Sequence, residues 1–194
     1  MEIEVEKKVM SEQKRCKWVN MKNPKYIHYH DCEWGKPHYD DAYFFEMLVL
    51  ESFQAGLSWE CILNKREAFR EAFDGFDYHK VAAYTQEKIA ELAENKDIVR
   101  NKLKIRAAVG NAAVFMEIQK EYGTFSAYIW HFTDGKQIVN RDGIPHVTSE
   151  LSDAISKELK KRGMKFVGST IIYSYLQAVG VINDHEPECD FYMK

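Results

Sequence analysis

Helix start and stop signals recur along almost the whole chain, and no stretch shows a sustained alternation of β-branched and polar residues. Ser, Thr or Asp residues precede many of the amphipathic stretches, and glycines follow several of them. This pattern predicts an all-α fold. Helices are expected from about Asp40 to Ala55, after Ser58 through Phe69, after Asp77, after Thr85, up to Gly123, over 124–132, over 148–163 and from about Ser169 to Ala178. Only 133–147 looks irregular.

The composition of the 194 residues suits an ordinary folded protein: 45% are hydrophobic and 29% charged, enough for one domain or two helical lobes that share a core. Residues 1–14 are charged and aperiodic, so we expect a flexible tail followed by a single domain over 15–194. No apolar stretch approaches the roughly 20 residues of a membrane span. The charged opening also lacks the apolar centre of a secretory signal. A cytoplasmic protein that does not enter membranes, with a monomer as the default, is expected.

Two cysteine–histidine pairs lie at opposite ends of the sequence, the second with the spacing H-x3-C. They are Cys16 with His30, and His185 with Cys189. Thiolate sulfur and neutral imidazole are ligands that Zn²⁺ prefers, and four of them complete a tetrahedron with no position left for an activated water. Such a site would be structural. The alternative is that these side chains lie singly on the surface or in the core, and Cys32 offers a rival thiol.

Glu51 falls on the apolar face of the predicted helix from Asp40 to Ala55, where its neighbours on the helix surface are hydrophobic. A carboxylate buried there is costly unless its pKa rises or a partner supplies hydrogen bonds or positive charge. That partner could be a ligand. It could equally be a basic side chain in a structural ion pair, and the sequence leaves both interpretations open.

Aromatic residues surround this helix in the sequence. They are Trp18, Tyr26, Tyr29 and Trp34 before it and Trp59 after it. Rings of this kind stack on planar ligands, and together with a carboxylate they are typical of a nucleobase pocket, above all for a cationic base. A small helical domain in which 13% of residues are aromatic also packs such rings in its core, so composition alone does not decide.

Basic residues concentrate at a predicted helix start. They are Arg100, Lys102, Lys104 and Arg106, within seven positions. Free N–H groups at a helix start, together with basic side chains, can hold the phosphates of a nucleic acid. A second basic group around Gly163 is more typical of a solvated helix face.

Six segments, taken in order, resemble the DNA-3-methyladenine glycosylase I family over roughly residues 15–192. They are RCKWVN, YIHYHDCEWG, FEMLVLESFQAGLSW, RNKLKIRAAVGNA, KKRGMKFVGSTIIYSYLQAVGVINDH and the terminal H-x3-C. The resemblance implies a helical fold of the helix-hairpin-helix DNA glycosylase superfamily, with a structural zinc site joining the N- and C-terminal segments. The implied ligands of one Zn²⁺ ion per chain are Cys16, His30, His185 and Cys189.

The resemblance also implies roles for the residues of the pocket. Glu51 matches the acid that reads the flipped base, Trp59 matches the ring that stacks on it, and Tyr29 adds a hydrogen bond. The remaining pocket walls are expected to be Trp18, Tyr26 and Trp34.

The DNA-binding residues expected from the resemblance and the basic cluster lie in two turns. Gly56 and Leu57 stand where the protein pushes into the duplex, and an apolar side chain suits that wedge. Arg100, Lys102 and Lys104 are expected to contact the DNA backbone. The segment that contains them lacks the glycine pair common in the wider superfamily, so any phosphate contact there depends on its basic side chains.

The implied activity is hydrolytic excision of 3-methyladenine from alkylated double-stranded DNA, which leaves an abasic site and the free base. Methylation at N3 gives the ring a positive charge, so the base leaves readily and Glu51 is expected to act through recognition and electrostatic help. No lysine stands out as a Schiff-base nucleophile, and no lyase activity is expected. Two alternatives are a non-catalytic, zinc-stapled binder of alkylated DNA or purine bases, and a zinc hydrolase with an open coordination position.

Overall fold

Helices make up most of the fold in the computed structural model, which describes residues 13–192. The α-helices are α1 (Pro24–Cys32), α2 (Asp41–Gln54), α3 (Trp59–Asn64), α4 (Arg66–Ala72), α5 (Tyr78–Ala82), α6 (Gln86–Glu94), α7 (Lys102–Tyr122), α8 (Phe125–His131), α9 (Glu150–Lys161) and α10 (Ser169–Ala178). A 3-10 helix spans Asp74–Phe76, and two short strands are β1 (Ile138–Val139) and β2 (Ile182–Asn183). The prediction of a mainly helical chain is confirmed for these residues.

Side-chain caps begin most of the predicted helices where the sequence places them. Asp77 accepts hydrogen bonds from the backbone at the start of α5, Thr85 does so for α6, and Ser149 caps α9. Gly123 ends α7 with φ = +85°, a conformation that glycine adopts at little cost. These signals act within one turn of the helix, which is why the sequence reveals them.

Three local features differ from the prediction. The helix expected from Ser58 through Phe69 is interrupted at Lys65, which ends α3 and starts α4. Helix α1 was not predicted, although Asn23 caps it and Pro24 occupies its first position, a combination typical of a helix start. The strands β1 and β2 pair in parallel, with Ile138 opposite Ile182.

Helix α2 is buried on all sides along most of its length. Residues 44–53 are all buried, and the helix contacts α3, α7, α8 and α10. The single apolar face predicted for it is therefore too narrow a description, since the polar residues Glu46, Glu51 and Ser52 also lie inside the protein. Each of these polar groups needs a partner or carries a desolvation cost.

The two ends of the described chain meet. The backbone N–H of Lys14 donates to the Asp190 carboxylate at 2.9 Å, and the Lys14 carbonyl accepts from the Asp190 N–H at 2.9 Å. Most of the predicted flexible tail, residues 1–12, lies outside the described residues, and the division into a tail and one domain stays a prediction. No helix within 13–192 is long and apolar enough to cross a membrane.

Candidate active site

A cavity of about 250 Å³ opens where the segment before α1, the helices α1, α2 and α10, and the loop 140–146 come together. All six residues predicted for the base pocket line this cavity: Trp18, Tyr26, Tyr29, Trp34, Glu51 and Trp59. The structure therefore brings together one acid and five aromatic rings that are dispersed in the sequence.

Glu51 is a buried acid that has no ionic partner within the part of the chain that the structure describes. Glu51 is only 3% exposed, and its Oε2 has no hydrogen-bond partner among residues 13–192. Burial alone raises the pKa of Glu51 from 4.5 to about 8. The carboxyl group is thus held in a site that disfavours its charge, and no cationic side chain of residues 13–192 compensates that charge.

Glu46, one and a half turns earlier on α2, shows what a structural ion pair looks like in this fold. Its carboxylate accepts from Arg66 Nε at 2.6 Å and lies 2.9 Å from an Arg70 guanidinium nitrogen. The sequence left open whether Glu51 has such a partner. It has none among the described residues, which favours a ligand as the missing partner.

The aromatic side chains around the cavity pack against one another, and one of them carries a buried donor. The Tyr29 and Trp59 ring centroids lie 5.1 Å apart with an interplanar angle of 50°. The Trp59 Nε1–H group is buried and has no acceptor within the described chain. Trp18 packs edge-on against Trp34 with 4.8 Å between centroids. Burial, followed by the proximity of Glu51, raises the pKa of Tyr29 well above its ordinary value, so its hydroxyl stays protonated.

The cavity also has lining residues that the sequence did not indicate. Ser174, Gln177 and Asp184 line it from α10 and from the segment after β2, and residues 140–146 contribute Asn140, Gly143, Ile144, Pro145 and His146. On α10 a spacing of three places Ser174 and Gln177 on one side of the helix, which is a weak local signal. No local pattern predicts that the irregular loop reaches the site.

Three of the four predicted metal ligands form a buried cluster beside this cavity. The ligating atoms of Cys16, His30 and Cys189 all lie within 4.8 Å of one another. His185 is not part of that close group, but its ring centroid lies 4.9 Å from that of His30, and its Nε2 is buried without a partner in the described chain. Cys32 is exposed and does not belong to the cluster.

The surroundings of these four side chains fit a metal site. His30 Nδ1 lies 2.8 Å from the Asp31 carboxylate, which fixes the ring so that Nε2 faces the cysteines. His185 Nδ1 lies 2.9 Å from the Asn183 amide oxygen. Burial lowers the pKa of His185 to about 4, so its imidazole is neutral, which is the form that binds metal.

The turn between α2 and α3 presents the predicted wedge to solvent. Gly56 has φ = +83°, which favours glycine, and Leu57 is 42% exposed at the tip of the turn. Arg100 and Lys102 are also exposed, and Asn101 between them caps α7. Exposure leaves these four residues free to meet a partner.

Lys104 does not share that exposure. It is 6% exposed, and its Nζ donates to the backbone carbonyls of Phe53 at 2.9 Å and Ala55 at 2.6 Å. Its expected contact with the DNA backbone is not supported, because the two residues from Lys102 to Lys104 rotate about 200° around α7, so Lys102 is exposed and the Lys104 ammonium is buried. Lys104 instead holds the end of α2, directly before the turn that carries Leu57.

Fold and site together define a helical protein whose pocket is lined by aromatic side chains and by a buried acid that has no ionic partner among the described residues. Such a lining suits a planar, electron-poor ring. The chain belongs to the methyladenine glycosylase family, whose sequence model matches residues 18–193.

Named relatives and solved structures match almost the full length of the chain. It is 45% identical over 182 residues to DNA-3-methyladenine glycosylase 1 of Escherichia coli K12, covering 92% of this chain and 96% of that protein. It is 43% identical to the DNA-3-methyladenine glycosylase of Haemophilus influenzae, covering 90% and 96%. A structure of the Staphylococcus aureus 3-methyladenine DNA glycosylase I, described as the basis of 3-methyladenine recognition, superimposes with a TM-score of 0.86 at 37% identity, over 90% of this chain and 94% of that one.

Proposed function

We propose that this protein is a monofunctional DNA-3-methyladenine glycosylase, which flips N3-methyladenine out of alkylated double-stranded DNA and hydrolyses its N-glycosidic bond. The products are an abasic site and free 3-methyladenine. The observation that carries the proposal is the buried Glu51, which no other residue of 13–192 pairs with, in a cavity lined by aromatic rings. Relatives of this chain that carry the name DNA-3-methyladenine glycosylase support it.

Base recognition follows from the charge and shape of the cavity. A cationic 3-methyladenine supplies the positive charge and the ring N–H groups that Glu51 lacks, so the ionised carboxylate becomes favourable when the base is bound. The aromatic faces, among them Trp59 and Tyr29, attract the cationic ring further. Neutral adenine offers no charge to offset the desolvation of the carboxylate, so it binds more weakly.

The chemical step needs little from the protein. When the bond between N9 and the anomeric carbon breaks, its electron pair moves to the base and neutralises the positive charge there. Water then adds to the anomeric carbon of the cationic sugar, and its proton goes to solvent. No covalent intermediate with the protein is required.

DNA engagement is assigned to the two exposed turns. Leu57 enters the base stack at the place of the flipped nucleotide, and the turn that carries it is anchored by Lys104. The helices α6 and α7 with the turn between them form the hairpin unit, in which Arg100 and Lys102 face the phosphates. The Lys65 ammonium donates to the Asp97 carbonyl at 2.9 Å and so ties this turn to the end of α3.

A structural Zn²⁺ ion is proposed for the cysteine–histidine cluster. Cys16, His30 and Cys189 would bind it, with His185 as the fourth ligand, because its buried Nε2 has no other partner within the described residues. Bound zinc would join the segment before α1 to the C-terminal segment. Four protein ligands leave no open position for water, so the reaction does not use the ion.

The decisive experiment is incubation of the protein with N-methylated duplex DNA, followed by chromatography of released bases and alkaline cleavage at abasic sites. We expect one abasic site for each molecule of 3-methyladenine that is released. Tight binding of the methylated duplex without release would instead establish the non-catalytic binder. A chelator series with zinc analysis tests the zinc hydrolase, because such an enzyme would lose activity at once, whereas removal of a structural ion would lower stability first. A cytoplasmic monomer stays a prediction.

A further inference from the structure

Two separate parts of the chain supply the aromatic rings that meet in the cavity before and after α2. Trp18, Tyr26 and Tyr29 belong to the segment 16–30, which includes most of α1, whereas Trp59 is the first residue of α3. The Tyr29 and Trp59 rings are in contact, and α1 packs on α3. The shape of the cavity therefore depends on how this segment is held against α3.

Glu60, the second residue of α3, is bound by two side chains of the segment 16–30. Its Oε1 accepts from Asn20 Nδ2 at 2.7 Å and from Asn23 Nδ2 at 2.8 Å. Asn23 also caps α1, because its Oδ1 accepts from the backbone N–H of Lys25 at 3.1 Å. One carboxylate oxygen thus joins the start of α1 to the start of α3.

This contact differs from the usual role of an acid in the first turn of a helix, which is to stabilise the free N–H groups there. In α3 that role falls to Ser58, whose hydroxyl accepts from the Cys61 N–H at 3.2 Å. A further hydrogen bond, from Asn23 Nδ2 to Asn64 Oδ1 at 2.9 Å, lies one turn beyond Glu60 on α3. The hydrogen bonds of Glu60 therefore connect two helices.

The contact adjoins the wall of the cavity. Asn23, Tyr26 and His30 are three and seven positions apart, so they lie on one side of α1. Burial, followed by the proximity of Glu60 and then of Glu51, raises the pKa of Tyr26. The Tyr26 hydroxyl is therefore near the carboxylate that connects the helices as well as the one that lines the cavity.

We infer that Glu60 is a positioning residue of the base pocket, which holds the segment 16–30 against α3 and so fixes Tyr26 and Tyr29 relative to Trp59. This inference rests on the proposed function. Glu60 touches neither the base nor the sugar in this role. A pocket wall that is misplaced by about 1 Å can cost about 100-fold in rate, so a contact outside the pocket can control what the pocket binds.

The variants Glu60→Ala and Glu60→Gln separate the contact from the charge. The first removes the acceptor, and the second keeps an oxygen that accepts from both asparagines. We expect the affinity for free 3-methyladenine, measured by calorimetry, to fall about 10-fold in Glu60→Ala and to stay within about twofold of the wild type in Glu60→Gln. The matched control Glu67→Ala, at an exposed residue of α4 paired with Arg70, should also stay within about twofold. An equal loss in Glu60→Gln and Glu60→Ala overturns the inference, because the charge and not the contact would then matter.

A reversed pair tests the same contact from the side of α1. Asn23→Asp keeps an oxygen that caps α1 but places a second carboxylate against Glu60, so the affinity should again fall about 10-fold. Combination with Glu60→Gln should return it to within about threefold of the wild type, since the new amide donates to the new carboxylate and its oxygen still accepts from Asn20. A double variant that binds no better than Asn23→Asp contradicts the inference, and this pair also decides if Glu60→Ala does not fold.

Hydrogen exchange followed by mass spectrometry locates the effect without a ligand. The backbone amides of 16–30 should exchange faster in Glu60→Ala than in the wild type, but not in Glu60→Gln. Faster exchange with unchanged affinity for the free base overturns the inference, because the contact would then order the segment without serving the pocket. If the wild type releases no 3-methyladenine from methylated DNA, the proposed function itself fails. An active wild type whose Glu60→Ala variant binds the base equally well overturns the inference alone.

Discussion

The Lys104 ammonium donates a 2.6 Å hydrogen bond to the carbonyl of Ala55, the residue that follows the last turn of α2. The same Nζ also donates to the Phe53 carbonyl. Both carbonyls belong to the end of a helix, where backbone acceptors lack partners within the helix. The long helix α7 thus fixes the turn that presents Leu57.

Replacement of Lys104 by Met should destabilise the protein. The apolar chain keeps the volume but leaves two carbonyls without their donor, which costs about 1–3 kcal/mol of the free energy of unfolding. Urea unfolding measures the loss. In the control Lys102→Met, at an exposed position two residues earlier, stability should change by less than about 0.5 kcal/mol. If Lys104→Met kept its full stability and its DNA binding depended less on salt, Lys104 would contact a phosphate, as the sequence predicts, and would not anchor α2.

Replacement of Glu51 by Gln should weaken excision and raise stability at neutral pH. The folded-state pKa of about 8 lies above the ordinary 4.5, so the folded wild type holds a proton that the unfolded chain has lost. Wild-type stability therefore falls relative to the variant as the pH rises from about 4.5 to about 8, by on the order of 3 kcal/mol at pH 7. Unfolding at pH 5 and pH 7.5 measures the change. A difference that is the same at both values would show that Glu51 does not carry this desolvation cost.

The pH dependence of excision should report the same group. Below about pH 8 the empty cavity holds Glu51 protonated, so a cationic base must displace that proton before it meets a carboxylate. Half-saturating substrate concentrations in single-turnover assays should fall by up to about tenfold per pH unit between pH 6 and 8 and then level off. Glu51→Gln should show a flat profile over this range. A wild-type profile that is flat as well would contradict the recognition role.

The sequence predicts those helices whose start and end are determined by local signals. Caps such as Asp77 and Thr85 act within one helical turn, and they mark their helices correctly. The strands β1 and β2 are too short to show any alternation, and each exists only because the other lies beside it. The same distinction applies to the site. Glu51 and its aromatic neighbours occur in strongly patterned segments, whereas Asp184, which also lines the cavity, follows a two-residue strand and has no local pattern of its own.

The case of Lys104 shows how a sequence cluster can mislead. Arg100, Lys102 and Lys104 are close in sequence and share a charge, yet a helix turns about 100° per residue, so neighbours two apart point in very different directions. Lys102 is exposed, whereas the Lys104 ammonium is buried and donates to two backbone carbonyls. Only tertiary packing against the end of α2 reveals the difference.

Replacement of Cys189 by Ser should lower both zinc content and thermal stability. The serine oxygen is a poorer ligand for Zn²⁺ than a thiolate, and loss of the metal releases the C-terminal segment from the segment before α1. Metal analysis and thermal unfolding measure both effects on the purified protein. Cys32→Ser is the matched control, because Cys32 is exposed and outside the cluster. If Cys189→Ser keeps its full zinc content, the proposed ligand set is wrong.

Replacement of Arg100 by Ala should weaken DNA binding by a salt-dependent amount that does not depend on the damaged base. A cation that contacts one phosphate releases about one counterion, so the slope of log affinity against log salt concentration should decrease by about one. Titrations of methylated and unmethylated duplexes at several salt concentrations measure this slope. The exposed basic residue Lys161, at the end of α9, provides the comparison, since its group is expected to be a solvated helix face. Lys161→Ala should leave the slope unchanged. An equal decrease in both variants would show that the DNA-binding surface includes the end of α9.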